Sequence, residues 1–361
     1  MRKFVSVSLA LIFVLLAFAG CAKKESPQLT LPSAESTATP TPKPTPEPTP
    51  EPTPEPVVLT EEEGRFMGEN GSFQVGSYTI TAEWLPFQDC ITGHEASEIT
   101  VAEVGDSLYV LAEGLLRKYS ENNGILVLDE EFPEIIPDTD SASYVRLSAD
   151  DQGMLYLSAS AHSFLTLVKD DVPLVTYDYK TMKVNFFQVH PSGGWGISSF
   201  VKAEQVAKIT VDTQTAKNEP LNLMDTNYST VVNLSKDHIL LYGDSLETEE
   251  DAVYVYDLDG NLEMTFGEES AEEGSLRAPR WLLETENGFV VMDMSSLHFY
   301  DKSGGFLGSI SQYDIFGEGF KWLSSLSLCP NGDILAGFSF VRKDENGKDF
   351  GDKNIYRLSG F

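Results

Sequence analysis

A tight turn between two β-rich runs recurs every 40 to 51 residues through most of this 361-residue chain. The turn carries a polar residue or a glycine, and an alternating apolar run follows it. The six turn positions are Asp106, Gly153, Gly193, Asp237, Gly288 and Gly332. A period of this length is typical of repeat architectures whose units cannot bury their apolar faces alone.

Each repeat continues into further short strands that are joined by hairpin turns. The segments "DLDGN" at 257–261 and "DKSGG" at 301–305 place Asp and Gly where a tight turn needs polar side chains and positive φ. Four short antiparallel strands per repeat, with one turn always of the same kind, describe a β-propeller blade. The chain is therefore predicted to be all-β, with six blades.

Closure of the ring depends on residues that precede the first repeat. The last repeat ends after only three strands, and residues 77–87, "SYTITAEWLPF", read as one further strand. We expect residues 79–85 to pair with residues 354–358. An N-terminal strand would then complete the last blade and leave no unpaired edge.

One stretch of the chain carries a family resemblance. Residues 264–310 resemble NHL-type repeat propellers, and the matching positions are Phe266, Gly267, Pro279, Gly288, Tyr300 and Asp301. The resemblance covers residues 251–340 and weakens over residues 99–225, where the Tyr-Asp hairpin degrades. It implies a propeller that binds through the face or rim of its ring, and it implies no single activity.

The first 21 residues, "MRKFVSVSLALIFVLLAFAGC", have the features of an export signal. Arg2 and Lys3 precede an apolar stretch that is shorter than the roughly 20 residues of a spanning helix. The run "AFAGC" resembles the lipobox of bacterial lipoproteins, although Phe18 stands where the family prefers leucine. The resemblance implies cleavage before Cys21 and acylation of that residue, which gives a stable membrane anchor. The alternative is an ordinary secretion signal with an accidental cysteine.

A proline-rich spacer follows the signal. Every second residue from 40 to 56 is proline, which favours an extended polyproline II segment of about 50 Å. The predicted organisation is a signal peptide (1–20), a lipid-anchored Pro/Thr-rich spacer (21–56) and a propeller domain (57–361). We expect it on the extracytoplasmic face of the cell membrane, in the style of a Gram-positive surface. Docking of the prolines onto an aromatic groove of a partner is the alternative role.

The charge of the chain limits its partners. The net charge of −31 would repel nucleic acid, whose phosphates are bound by Lys and Arg, and would also repel anionic lipid surfaces. The charge is typical of a soluble exported protein. An acidic face for cationic or metal-loaded partners is the alternative interpretation.

No residue pattern indicates a catalytic, metal or cofactor site. The five histidines are scattered, and Ser199 and Lys202 form an isolated S-x-x-K pair. The segments 257–261 and 344–352 faintly resemble calcium loops, but a hairpin turn explains them better. Cys90 and Cys329 would both belong to the closing blade, either as a disulfide or as two free thiols.

Aromatic and cationic residues occur in loops that lead into predicted inner strands, which gather around the mouth of a propeller's central channel. The candidate ligand-binding residues are Tyr144, Arg146, Arg280, Trp281, Lys321 and Trp322. Rings beside cations suit sugars, carboxylates or peptides. The alternative is that the two tryptophans fill gaps between blades and the charges cover them.

These features favour a non-catalytic function. We expect a membrane-anchored binding or scaffolding module for a protein, peptide or cell-wall glycan. The alternative is a propeller-class glycan-active lyase or hydrolase that uses acidic residues at the channel mouth. Such an enzyme would show converging carboxylates beside a deep pocket, with at least one perturbed pKa.

Replacing Cys21 with Ser should abolish lipid attachment, because the acyl chain is transferred to its thiol. Cells fed an alkyne-tagged palmitate should label the wild-type protein and leave the Cys21→Ser variant unlabelled. The Cys90→Ser variant is the matched control and should keep its label. Equal labelling of Cys21→Ser and the wild type would contradict the lipoprotein prediction.

Overall fold

The computed structural model describes residues 57–361, except residues 63–64, 95–96, 134, 136–144, 160–163, 179–183, 201–205, 222, 224–225, 246–250, 269–272, 295, 318–319 and 344–345. The predicted signal, Cys21, the proline-rich spacer and Tyr144 lie outside the described residues. The segment Glu55–Phe361 forms one compact unit. Within the described part of the chain, no helix is long and apolar enough to cross a bilayer.

The described strands form six antiparallel sheets. Three strands precede the first repeat: β1 (Gly71–Val75), β2 (Tyr78–Leu85) and β3 (Ile91–Gly93). Blade 1 consists of β4 (Ile99–Val104), β5 (Ser107–Ala112), β6 (Leu115–Asn122) and β7 (Ile125–Phe132). Blade 2 consists of β8 (Val145–Ala149), β9 (Leu155–Ala159), β10 (Phe164–Lys169) and β11 (Val172–Asp178). Blade 3 consists of β12 (Val184–Val189), β13 (Trp195–Phe200), β14 (Val206–Val211) and β15 (Ala216–Leu221).

The second half of the ring repeats this pattern. Blade 4 consists of β16 (Thr226–Leu234), β17 (His238–Ser245), β18 (Asp251–Asp257) and β19 (Leu262–Phe266). Blade 5 consists of β20 (Trp281–Glu284), β21 (Gly288–Met292), β22 (Ser296–Asp301) and β23 (Phe306–Ser311). Blade 6 contains β24 (Phe320–Leu328), β25 (Ile334–Lys343) and β26 (Asp349–Ser359). The first strands of the blades contact one another in a closed circle, which confirms the six-bladed propeller.

The recurrent turn of the sequence joins the first and second strands of every blade. Its polar residues bond the backbone of the turn itself: Asp150 Oδ1 accepts from the amides of Gln152 and Met154, both at 2.9 Å. In blade 5, the Thr285 hydroxyl oxygen accepts from the amide of Gly288 at 3.2 Å. Gly153 has a φ of 74°, a conformation that glycine adopts without a Cβ penalty.

The N-terminal strand completes blade 6, as predicted. β2 pairs antiparallel with β26, and the register includes Ala82 opposite Leu358 and Leu85 opposite Ile355. The structure adds two strands that the sequence did not predict: β1 pairs with the outer side of β2, and β3 pairs with residues 351–353 of β26. Blade 6 is therefore larger than the other five.

Period-two alternation explains how the blades pack. In β21, Val290 and Met292 face blade 6, whereas Phe289 and Val291 face blade 4. Both faces of this strand are thus apolar, as expected for a sheet covered on both sides. Among the described residues there is one hydrophobic cluster for each of the six seams between neighbouring blades.

One short helix, α1 (Gln312–Phe316), connects β23 to β24. This helix was not predicted, because five residues are too few to display a helical period. The Ser311 hydroxyl caps the helix by accepting from the amide of Tyr313 at 3.2 Å, and Gly317 ends it with a φ of 79°.

Cys90 and Cys329 are free thiols in the structure. Cys329 is buried in the cluster between blades 6 and 1, and Cys90 is half-buried. Burial raises the pKa of the Cys90 thiol to about 11, which keeps it protonated near neutral pH. The disulfide alternative is therefore not formed.

Replacing Leu85 with Ala should lower the free energy of unfolding by about 2–5 kcal/mol, because Leu85 is fully buried where β2 packs against blade 1. Urea unfolding of both proteins measures the difference. Thr81→Ala is the control on the same strand, where the exposed side chain should contribute no more than about 0.5 kcal/mol. A loss below about 1 kcal/mol for Leu85→Ala would show that the closing strand is not a core element.

Candidate functional site

Two side chains from opposite sides of the ring meet on its axis. Arg146 is the second residue of β8 in blade 2, and Trp281 is the first residue of β20 in blade 5. In a ring of six, blades 2 and 5 lie opposite each other. The Arg146 guanidinium carbon lies 4.1 Å from the centre of the Trp281 ring, so this cation–π contact spans the central channel.

A carboxylate from a third blade approaches the same point. Glu98 immediately precedes β4 in blade 1, and it interacts electrostatically with both Arg146 and Arg280. Burial raises the pKa of Glu98 above its usual range, and the two guanidinium groups lower it only in part. Burial also lowers the pKa of Arg146 to about 10. The charges of Glu98 and Arg146 therefore lie in a poorly solvated recess at the end of the channel where the inner strands begin.

Buried hydroxyls lie on three adjacent inner strands. Thr100 on β4, Ser148 on β8 and Ser324 on β24 are each at least 90% buried. Their hydroxyl oxygens have no hydrogen-bond partner among the described residues. Buried polar groups are ordinarily hydrogen-bonded, so these three hydroxyls, whose oxygens are closed off from solvent, are exceptions on the inner strands.

The loop that leads into β20 is held by Asp293 of blade 5. Its carboxylate accepts from the amide of Arg277 at 3.0 Å and from the amide of Ala278 at 2.9 Å. The amide of Arg280 then donates to the carbonyl of Met292 at 2.8 Å. These bonds fix the backbone beside Trp281 and leave the side chains of Arg277 and Arg280 exposed.

The structure brings part of the predicted ligand-binding set together. Arg146 and Trp281 are in contact, and Arg280 shares the neighbourhood of Glu98. The side chains of Lys321 and Trp322 lie outside the described part of the chain, as does Tyr144. Trp281 is only 7% exposed and packs in the cluster between blades 5 and 6, so Arg146 covers a ring that also fills the core.

Sequence reasoning missed Glu98. Glu98 lies directly before the inner strand of blade 1, and Arg280 lies directly before the inner strand of blade 5. An alignment of the repeats could therefore have identified Glu98. The search was restricted to aromatic and cationic residues in these loops, and an acidic residue was passed over.

No group of three or more metal-ligating side chains occurs among the described residues. The carboxylate of Asp257, in one of the two segments that resemble calcium loops, accepts from the Asn261 amide at 2.8 Å and from the Asn261 side chain at 2.7 Å. These are the bonds of a hairpin turn. His238 contacts two carboxylates, with Nδ1 2.8 Å from Glu284 and Nε2 3.0 Å from Glu263.

No protein-family model matches the chain, and no curated protein matches it. A streptogramin B lyase structure is 11% identical with a TM-score of 0.48, over 80% of this chain and 100% of that one. The β-propeller domain of Cps50 (Swd1) from Myceliophteria thermophila is 10% identical with a TM-score of 0.47, over 74% and 98%. A luciferin-regenerating enzyme is 12% identical with a TM-score of 0.42, over 75% and 96%. Similarity this low carries no argument about activity.

Replacing Glu98 with Gln should stabilise the protein more at pH 7 than at pH 4. The folded state holds the Glu98 proton more tightly than the unfolded chain does, because the pKa is raised on folding. The stability from this proton is complete below the unfolded pKa of about 4.3 and is lost as pH rises through the folded pKa. Glutamine does not titrate, so the variant avoids this loss.

Urea unfolding of the wild type and Glu98→Gln at both pH values measures the effect. Thr81→Ala, at an exposed and non-titrating position on β2, is the control and should show the same difference from the wild type at each pH. If Glu98→Gln also differs from the wild type by a constant amount, the Glu98 carboxyl is not desolvated.

Proposed function

We propose that the propeller is a binding module that receives a carboxylate-bearing ligand, a peptide or an acidic cell-wall glycan, at the mouth of its central channel. The observation that carries the proposal is the position of Arg146, which is recessed on the axis between Trp281 and Glu98. A guanidinium group in such a place is suited to bidentate recognition of a carboxylate.

The electrostatics of the recess support an anionic ligand. Arg146 and Arg280 both act on Glu98, whose raised pKa reflects burial that the two guanidinium groups offset only in part. An incoming carboxylate would place a further negative charge close to Arg146, where low solvation strengthens the attraction.

Attachment to the membrane is part of the same proposal. The lipobox resemblance at Cys21 and the proline-rich spacer support a lipoprotein on the extracytoplasmic side, held about 50 Å from the bilayer. The resemblance of residues 264–310 to NHL-type repeats supports ligand binding through a face of the ring. A module presented in this way would meet wall fragments or exported proteins.

A glycan-active lyase or hydrolase is the second candidate, and Glu98 is the observation that favours it. A carboxyl with a raised pKa on a channel axis has the property of a general acid. A paired carboxylate would be needed for most glycoside hydrolysis, and the described residues place Arg146 and Arg280 beside Glu98 instead. Binding is therefore the better-supported function.

Replacing Arg146 with Met and Arg280 with Ala in one protein should remove ligand capture. The full-length protein in detergent would be used to capture material from membrane extracts and from purified wall fragments. We expect the wild type to retain a discrete partner and the double variant to lose at least 90% of it. These changes are preferable to replacing Trp281, because truncating a buried tryptophan costs about 3–5 kcal/mol of stability.

Lys217→Ala is the control, because Lys217 is an exposed cation on the outer strand of blade 3. It should retain the partner fully. Capture by the double variant at the wild-type level would exclude the channel mouth as the binding site. The enzyme candidate would replace the binding module under a different set of results. In that case neither fraction yields a partner, the wild-type protein depolymerises wall glycan, and the Glu98→Gln variant fails to depolymerise it.

A further inference from the structure

A second recess lies in blade 6, at the end of the ring where the inner strands begin. It has a volume of about 560 Å³, within the range of small-molecule sites. Its walls are residues 65–70 of the segment before β1, residues 314–317 of α1 and its C-terminal cap, and residues of β1, β2, β25 and β26. None of these residues belongs to the channel mouth.

Five of the fifteen residues that line this pocket are aromatic, and three of these, Phe66, Phe316 and Tyr356, are buried. The aromatic lining residues are Phe66, Phe73, Phe316, Phe340 and Tyr356. Contacts among them and their neighbours hold the rings in place: Phe66 lies 4.9 Å from Phe340 between ring centres, and Phe316 lies 5.4 Å from Tyr356. The Tyr356 hydroxyl donates to the carbonyl of Glu69 at 3.1 Å, which fixes the segment that forms one wall. The pocket is therefore preformed.

The rim of the pocket is negatively charged. Glu69 and Asp314 line it and are exposed. The cation of the lining, Arg65, donates from one guanidinium nitrogen to the carbonyls of Thr60 at 2.7 Å and Gln88 at 3.0 Å. Its guanidinium group is thus held by backbone oxygens outside the rim.

The other cation near Arg65 is also engaged by carboxylates. Arg342 lies 3.0 Å from Glu62 and 2.7 Å from Asp352. Among the described residues that line the pocket, the charged side chains are Glu69, Asp314 and Arg65. The two carboxylates at the opening thus outnumber the single cation of the lining, whose guanidinium group is held by backbone carbonyls.

We propose that this pocket binds a small organic cation, an amine or guanidinium group carried on an apolar body. Of the five lining rings, Phe73 and Phe340 are only partly buried, and such rings attract cations through their faces and cover apolar carbon. The two rim carboxylates complement the charge of the ligand. The ligand class is opposite in charge to the one proposed for the channel. The pocket proposal therefore does not depend on the function of the channel mouth.

The test uses three probes that share a phenyl ring and an ethylene linker and differ in charge: phenethylamine, 2-phenylethanol and 3-phenylpropanoate. Titration calorimetry of the full-length protein in detergent at pH 7 should show at least fivefold tighter binding of the amine than of the alcohol. The carboxylate should bind more weakly than the alcohol. Glu69→Gln combined with Asp314→Asn should weaken the binding of the amine about three- to tenfold and leave the affinity for the alcohol unchanged.

Two controls separate this site from the rest of the surface. Glu130→Gln removes an exposed carboxylate on blade 1 and should leave amine binding unchanged. Arg146→Met alters the channel and should also leave it unchanged. Equal affinity for the amine and the alcohol, absence of saturable amine binding, or full amine affinity in the double rim variant would each overturn the proposal.

Discussion

Strand β2 pairs with β26 in blade 6 and packs against blade 1, and this seam between blades 6 and 1 also positions the candidate site. Lys353 on β26 is fully buried, and its ammonium group donates to the carbonyl of Ser97 at 2.8 Å. The hydroxyl of Ser325 donates to the carbonyl of Ile99 at 2.8 Å. Glu98 therefore lies between two backbone groups that are tied to the closing blade. Because a buried cation that loses its partners costs several kcal/mol, the closure holds this loop firmly.

Closure of the ring also explains why Trp281 belongs both to the hydrophobic core and to the candidate site. Contact between Arg146 and Trp281 requires blades 2 and 5 to face each other across the axis, which only a closed ring provides. One side of the indole packs in the cluster between blades 5 and 6, and the guanidinium group lies over the ring. The two interpretations of the tryptophan, a filler between blades or part of a ligand site, therefore describe the same side chain. Ligands would reach Arg146 rather than the ring itself.

Much of the fold could be predicted from the sequence, because a propeller repeats one local pattern. The turn between first and second strands recurs with the same polar chemistry, and the missing strand of the last blade directed attention to residues 77–87. β1, β3 and α1 were not predicted, since three to five residues carry too little periodicity. The site was predicted only in part. Loops that lead into inner strands indicated Arg146, Arg280 and Trp281, but the contact of Arg146 with Trp281 from the opposite blade is a property of the closed ring. Glu98 was missed although it occupies an equivalent loop position in blade 1.

The net negative charge of the chain affects the ligands proposed for the two recesses differently, because it repels an anionic ligand and attracts a cationic one. With a net charge of −31, the body repels anions at a distance, although salt screens this repulsion beyond about 8 Å at physiological ionic strength. A carboxylate ligand would therefore gain from Arg146 and Arg280 only at short range, where desolvation strengthens the interaction. A cation approaching Glu69 and Asp314 is attracted both by the net charge of the body, within the same screening distance, and by the two rim carboxylates at contact. The channel mouth is thus suited to selective recognition after contact, and the aromatic pocket is suited to capture by electrostatic steering.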